Sequence, residues 1–284
     1  MPNDYSELPW NFEAFRKFID YKTLQNAAAV IVLFENKEIL KSPKELDAFE
    51  NLLNKRTGLE WSPERKVSED IQFNMEGTLF RNKARVLTSF YLIDPIKLRN
   101  NEIVPTQFCK ALGAGYISEG QFYREIFSRF TYPHPAYDEN WDAWTAKGIT
   151  LKPLIFILDI LEFLAEHGLE QAYLTVTEFA EFGHTNPFQD QTGKIASSIV
   201  SFRKSDQRIK RKRSDKIERK IGDIFGFMCM SEFCYYDKNS IRLNLLSRHP
   251  EENVQFYQKR GDVNMLESTK EFINQNLNKI TNEK

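Results

Sequence analysis

The chemistry this chain is best equipped for is electrostatic. Between Arg203 and Lys220 ten residues are basic: Arg203, Lys204, Arg208, Lys210, Arg211, Lys212, Arg213, Lys216, Arg219 and Lys220. Three acids, Asp206, Asp215 and Glu218, oppose them, so the block carries +7; the whole chain is −1, and everything outside the block sums to −8. Such concentrated charge points to a polyanion. The ammonium groups of Lys204, Lys210, Lys212, Lys216 and Lys220 suit phosphates, which position a protein without reading sequence. The planar forks of Arg203, Arg208, Arg211 and Arg213 match guanine O6 and N7 and are the first candidates for base contact. A charge run also fits a solvated face, a mobile loop or a nuclear-targeting patch. Here Ile217, Ile221, Ile224 and Phe225 recur at i, i+4, i+7 and i+8 through its second half, which favours a folded binding surface over a loose tail.

Other chemistry finds little support. A metal-dependent nuclease needs an Asp, then a Glu or Asp two residues before a Lys, on adjacent strands, to hold a divalent cation. Glu64-Arg65-Lys66 follows Ser62-Pro63 at a helix start or turn, and Glu218-Arg219-Lys220 lies in the basic amphipathic helix. Neither follows an apolar strand with a well-placed upstream Asp. His134, His167, His184 and His249 show no metal spacing. Cys229 and Cys234 fall in an expected strand among aromatics, without a second pair, and read as buried thiols rather than zinc ligands. Gly113-Ala114-Gly115 lacks the lysine and helix context of a phosphate loop.

The elements that must position the basic block are mostly helices. Residues 1–75 read as helical: one helix through Phe12, Phe15, Phe18 and Ile19, a buried segment over Ala27–Phe34, and a third helix opened by Ser42-Pro43-Lys44-Glu45 and ended by Gly58, with Trp61 packing nearby. Thr78 caps a helix over Leu79–Tyr91. A hairpin follows, Leu92–Leu98 and Glu102–Val104, turning at Arg99-Asn100-Asn101. Pro105-Thr106 opens a helix that Gly113 stops. Helix, hairpin and helix in that order fit the latter part of a winged helix, with Arg81, Lys83 and Arg85 on the exposed face of its recognition helix and Asn100 and Asn101 at its wing tip. After a helix over Glu119–Phe130 and a loop holding Trp141 and Trp144, the theme returns. Lys152-Pro153 opens an apolar helix ending near Gly168; Leu174–Phe179 holds a strand or turn and a capped helix start; Thr192–Arg203 is helical. Strands at Met228–Tyr236 and Ile241–Leu246 then flank a turn bearing Lys238 and Asn239.

This order resembles the DNA-recognition half of type IIS restriction and nicking endonucleases. Five stretches carry the resemblance: Ala84–Ile93; Phe122–Pro133, an apolar helix ending in Phe-Thr-Tyr-Pro; Ile149–Leu161; Leu174-Thr175 through Glu178–Phe182; and Ile224-Phe225-Gly226-Phe227 into Ile241–Asn244. They span roughly residues 77–250, and their order is more specific than any one of them. The resemblance implies tandem winged-helix subdomains docked side by side on duplex DNA, in a phage-defence system. It also implies a separate nuclease domain, which is not visible here; any divalent metal, Mg in the usual case, belongs to that domain or partner chain, and no cofactor is expected in this one.

The resulting expectation is a mainly α protein with small β-hairpin wings (α+β). Residues 1–116 hold the N-terminal helices and first winged unit, 117–148 a linking helix and loop, 149–250 the second winged unit, and 251–284 a polar, partly helical tail. Composition agrees with a globular protein: 41% hydrophobic, 28% charged, with twenty-three phenylalanines to build cores. Three cysteines make no even disulfide framework and suit a reducing cytoplasm. Neither a signal-peptide layout nor an apolar run of about 18 residues is present, so no membrane partner is expected. Two other functions fit the same features. A winged-helix regulator binds a palindrome as a dimer, and a divergent metal-dependent nuclease nicks DNA by itself.

Overall fold

The computed structural model describes residues 20–35, 37, 42–59, 84–94, 96–97, 102–134, 141–184, 186, 188–205, 215–237 and 240–244. They fall into two compact units, one drawn from Glu13–Phe122 with His134–Asp142, the other from Tyr123–Pro133 and Ala143–Lys284 together with Met1–Phe12. The helix expected through Phe12–Ile19, the residue Trp61, the Arg99-Asn100-Asn101 turn and the 251–284 tail lie outside the described residues.

In the first unit, α1 (Tyr21–Leu33) starts at Asp20, whose carboxylate accepts from the Thr23 N–H at 2.7 Å. Helix α2 (Pro43–Thr57) has the ends its sequence announces. Ser42 Oγ accepts from Glu45 N, proline takes the first turn, and Gly58 closes the helix at φ 70°, donating its N–H to Asn54 O at 2.9 Å. Leu46, Phe49 and Leu53 are its buried stripe, and the Phe49 ring meets Phe34 edge-on at 5.3 Å. Helix α3 (Ala84–Ser89) buries Val86 and Leu87; the part of this helix expected from Thr78 to Lys83 lies outside the described residues. Thr106 caps α4 (Gln107–Gly113), accepting from Cys109 N at 3.0 Å. Gly113 does more than stop this helix: a Cβ there would lie 2.8 Å from the backbone nitrogen of Ala29 on α1. It lets two backbones touch where α1 offers only alanine. Phe122 fills the centre, its ring 5.8 Å from Tyr21, 6.1 Å from Phe90 and 6.0 Å from Phe108.

Two expectations need correction here. Among the described residues of 92–104 there is no regular hairpin. The chain folds back in one antiparallel bridge, Ile93 to Pro105, flanked by Asp94 N donating to Val104 O at 2.8 Å and Thr106 N to Leu92 O at 3.1 Å; beyond it the Asp94 carboxylate accepts from the N–H groups of Ile96 and Lys97, which form a helical turn. Trp141 and Trp144 lie in a short helix (Trp141–Ala146), not in a loop.

His134 is 1% exposed, and burial pushes its imidazole pKa from 6.5 down to about 3. The unfolded chain therefore binds one more proton than the folded one between those values. Stability tied to this residue is complete above about pH 6.5 and falls as the pH drops toward 3, by at most about 1.4 kcal/mol per pH unit. Urea titrations between pH 7 and pH 4 should show His134→Gln losing less stability on acidification than the wild type. Parallel pH profiles would mean that His134 is protonated at no cost.

In the second unit the elements follow the order α5 (Glu119–Arg129, of which Tyr123 onward belongs here), α7 (Pro153–Glu166), β1 (Tyr173–Thr175), α8 (Val176–Glu178) running into a π-helical turn (Phe179–Gly183), α9 (Thr192–Lys204), α10 (Asp215–Met228), β2 (Cys234–Asp237) and β3 (Ser240–Leu243), with α6 the Trp141–Ala146 helix. The three strands form one antiparallel sheet in the order β1-β3-β2, with Leu174 opposite Ile241 and Tyr235 opposite Arg242. Apolar α7 packs on α9 and on the sheet, so nearly its whole circumference is buried. Phe179 bridges the core, 6.4 Å from Phe156 and 5.9 Å from Phe225. The expected strand from Met228 starts only at Cys234, because Ile221, Ile224, Phe225 and Met228 keep helical spacing and all are buried. Cys229 thus sits in a turn, not a strand. Burial pushes its thiol up to about 12 and raises that of Cys234 as well. The described residues are therefore mainly helical with a small three-stranded sheet, an α+β fold.

Candidate nucleic-acid interface

The basic block begins in the last turn of α9 and ends in α10. Its central residues, Arg208, Lys210, Arg211, Lys212 and Arg213, lie outside the described residues, as do Arg81, Lys83, Asn100, Asn101, Lys238 and Asn239. Arg85 is in α3 and Lys216 in the first turn of α10. Lys220 follows one turn later, partly exposed, and Lys204 is exposed in the last turn of α9.

Arg203 is placed differently from its neighbours. Its guanidinium is committed within the fold. Nε donates to Glu178 Oε1 at 2.7 Å, and Nη2 donates to Glu178 Oε2 at 3.0 Å and to the Tyr173 carbonyl at 2.6 Å. Nη1 donates to the Gln171 carbonyl at 2.9 Å and its amide oxygen at 3.2 Å. The cation also lies 3.7 Å from the centre of the Tyr173 ring. Glu178 closes a capping box: its carboxylate accepts from Thr175 N and Oγ1 at 3.0 and 2.9 Å, while Glu178 N donates to Thr175 Oγ1 at 3.1 Å. The side chains of Arg203 and Glu178 are only 10% and 8% exposed. One ion pair, made by the first residue of the block, therefore ties the last turn of α9 to β1 and the start of α8. Arg242, opposite Tyr173 in the sheet, pairs with Asp237 at 2.7 Å and sits 4.9 Å from the same ring. The capping box was visible as Thr175-x-x-Glu178; its pairing to Arg203, 25 residues on, carries no sequence signal.

The exposed face of α9 was not anticipated either. Lys194, Ser197, Ser198, Ser201 and Lys204 are exposed along it, while Ile195, Ala196, Ile199 and Val200 are buried on the other side. Beside it runs a groove of about 510 Å³ walled by Phe182 and Phe202. The serine hydroxyls donate to carbonyls one turn back, Ser197 to Gly193 at 2.9 Å, Ser198 to Lys194 at 2.9 Å and Ser201 to Ser197 at 2.8 Å.

Glu218 and Lys220 lie in α10, not on a strand, and Glu64-Arg65-Lys66 lies outside the described residues. Among the described residues no three His, Cys, Asp or Glu side chains gather in a metal-binding group, and no helix is long and apolar enough to cross a membrane.

The described residues form a mainly helical α+β fold, and a sequence segment of net charge +7 runs from the last turn of α9 into α10. Residues 83–284 match the family described as restriction endonuclease BpuJI, N terminal, and the chain belongs to that family. The matched region holds the basic block and all five stretches that resemble restriction-endonuclease recognition domains. No curated protein matches the chain.

Proposed function

We propose that this chain is a sequence-specific recognition module for double-stranded DNA in a restriction-type endonuclease. The observation that carries this reading is the +7 block, which runs from the end of α9 into α10 inside the region that matches the N-terminal part of a restriction endonuclease. Helix α7, strand β1, further helices and then the β2–β3 hairpin support a winged-helix reading of residues 149–250, in which a helix enters the major groove. Lys204, Lys210, Lys212, Lys216 and Lys220 hold phosphates, and Arg208, Arg211 and Arg213 read bases. Lys238 and Asn239 act from the turn of the second wing. In the N-terminal half Arg81, Lys83 and Arg85, with Asn100 and Asn101, make a second set of contacts, as tandem winged helices on one duplex require. Strand cleavage, in phage defence or otherwise, is the work of a nuclease domain or partner subunit that brings its own divalent metal. The setting is the cytoplasm, where three free thiols stay reduced.

Selection from a randomised duplex library, followed by sequencing, tests this. A short asymmetric consensus supports a tandem module bound as a monomer. A palindrome would instead indicate a dimeric regulator, and no enrichment, with binding lost at moderate salt, would sink the recognition reading.

A further inference from the structure

We infer that the exposed face of α9 is a phosphate-backbone clamp, in which Lys194, Ser197, Ser198, Ser201 and Lys204 grip one strand of the duplex beside the basic block. This deepens the proposed function and rests on it. Three observations point the same way. First, charge: α9 carries no acidic residue, whereas α7 and α10 in the same unit carry three each, so this is the long helix of the unit that offers a polyanion no repulsion. Second, shape: serine side chains are short, and with the groove alongside they let a sugar-phosphate chain approach the helix where longer side chains would hold it off. Lys194 and Lys204 are ten residues apart, about 15 Å along the helix, which spans more than one charge of a strand that presents a phosphate about every 3.4 Å of duplex axis. Third, hydrogen bonding: each hydroxyl now makes a neutral bond to a carbonyl whose main partner is the helix itself. Rotating it onto a phosphate exchanges that bond for a stronger charge-assisted one and leaves the helix ladder intact.

The occupant is duplex backbone rather than a small ligand, because the face is open and linear and α9 leads in sequence straight into the +7 block. The contacts are sequence-independent. They set register while the block reads bases.

The test measures binding of a labelled random-sequence duplex to the full chain, with thermal melting as a check on folding. Ser197→Glu with Ser201→Glu should weaken binding about tenfold or more. The control, Ala48→Glu with Asn51→Glu, adds the same charge to the exposed face of α2 and should change affinity less than about twofold. Independently, Lys194→Ala with Lys204→Ala should lower the slope of log affinity against log salt by about 0.9 per lysine. Equal loss in the serine variant and the control, or an unchanged slope in the lysine variant, removes α9 from the interface while leaving the DNA-recognition reading in place. A wild-type chain that binds no duplex overturns that reading, and the clamp with it.

Discussion

Replacing Lys210, Arg211, Lys212 and Arg213 together with alanine should cut the salt dependence of duplex binding by about 1.8 units of log-log slope, about 0.9 each for the phosphate contacts of Lys210 and Lys212, and by about 3.6 units were all four on phosphates. A rise of about fourfold in salt would then cost the wild type about tenfold more affinity than the variant in the first case and roughly a hundredfold in the second. The four residues hold more than half of the block's net charge of +7, so few effects on binding can be larger. The form of the result also separates the two chemistries. Were Arg211 and Arg213 forked onto guanines, the variant would lose discrimination between sites as well as affinity, about 1–3 kcal/mol for each guanine contact. Were all four on phosphates, affinity would fall alike for every sequence. Single variants compared on the selected site and on a scrambled duplex read this difference, and unchanged affinity and slope would take the segment out of the interface.

What the sequence reveals here, and what it hides, follows the range of the interactions concerned. The ends of α2 are legible because Ser42, Pro43, Glu45 and Gly58 act within one turn of themselves. The same holds for the capping box of Thr175 and Glu178 and for the start of α7 at Lys152-Pro153. The second hairpin is legible in outline, since alternation marks Ile241 and Leu243, yet its first strand reads too long because the apolar residues of α10 run on into it. The first hairpin is legible only as a fold-back: the chain bridges at Ile93 and Pro105, but beyond that the Asp94 carboxylate takes the N–H groups of Ile96 and Lys97, an Asx turn where the alternation suggests strand. The three-stranded sheet is invisible, because Leu174 finds Ile241 across 67 residues. The candidate interface shows the same divide. Net charge is a property of composition and stands out at once. Which cations face outward depends on partners far away in sequence, and so Arg203 reads as one more member of a basic run although its neighbour Lys204 is exposed and Arg203 is not. The serines of α9 carry no charge to attract notice.

Arg203→Ala should destabilise the protein by about 3–5 kcal/mol, the range expected when one partner of a nearly buried ion pair is removed and the other is left without its counter-charge. Glu178 is that other partner, and in the variant it would keep its Thr175 bonds but lose both guanidinium contacts. The carbonyls of Gln171 and Tyr173 would lose donors too. Arg203→Lys should recover only part of the loss, since one ammonium cannot serve two carboxylate oxygens and two carbonyls at once. Arg203→Ala with Glu178→Gln should cost less than the sum of the two single changes, because the second removes the charge that the first strands. Urea denaturation of the four variants measures this, and strict additivity would mean the pair contributes nothing as a pair. The same variants decide what Arg203 does for recognition. A base-reading arginine, when lost, relaxes specificity at one position of the site and leaves stability near wild type. A latch between the end of α9 and β1 does the reverse. Below its melting range Arg203→Ala should select the same consensus as the wild type, with its affinity lowered because α9 no longer holds a fixed course into the basic block.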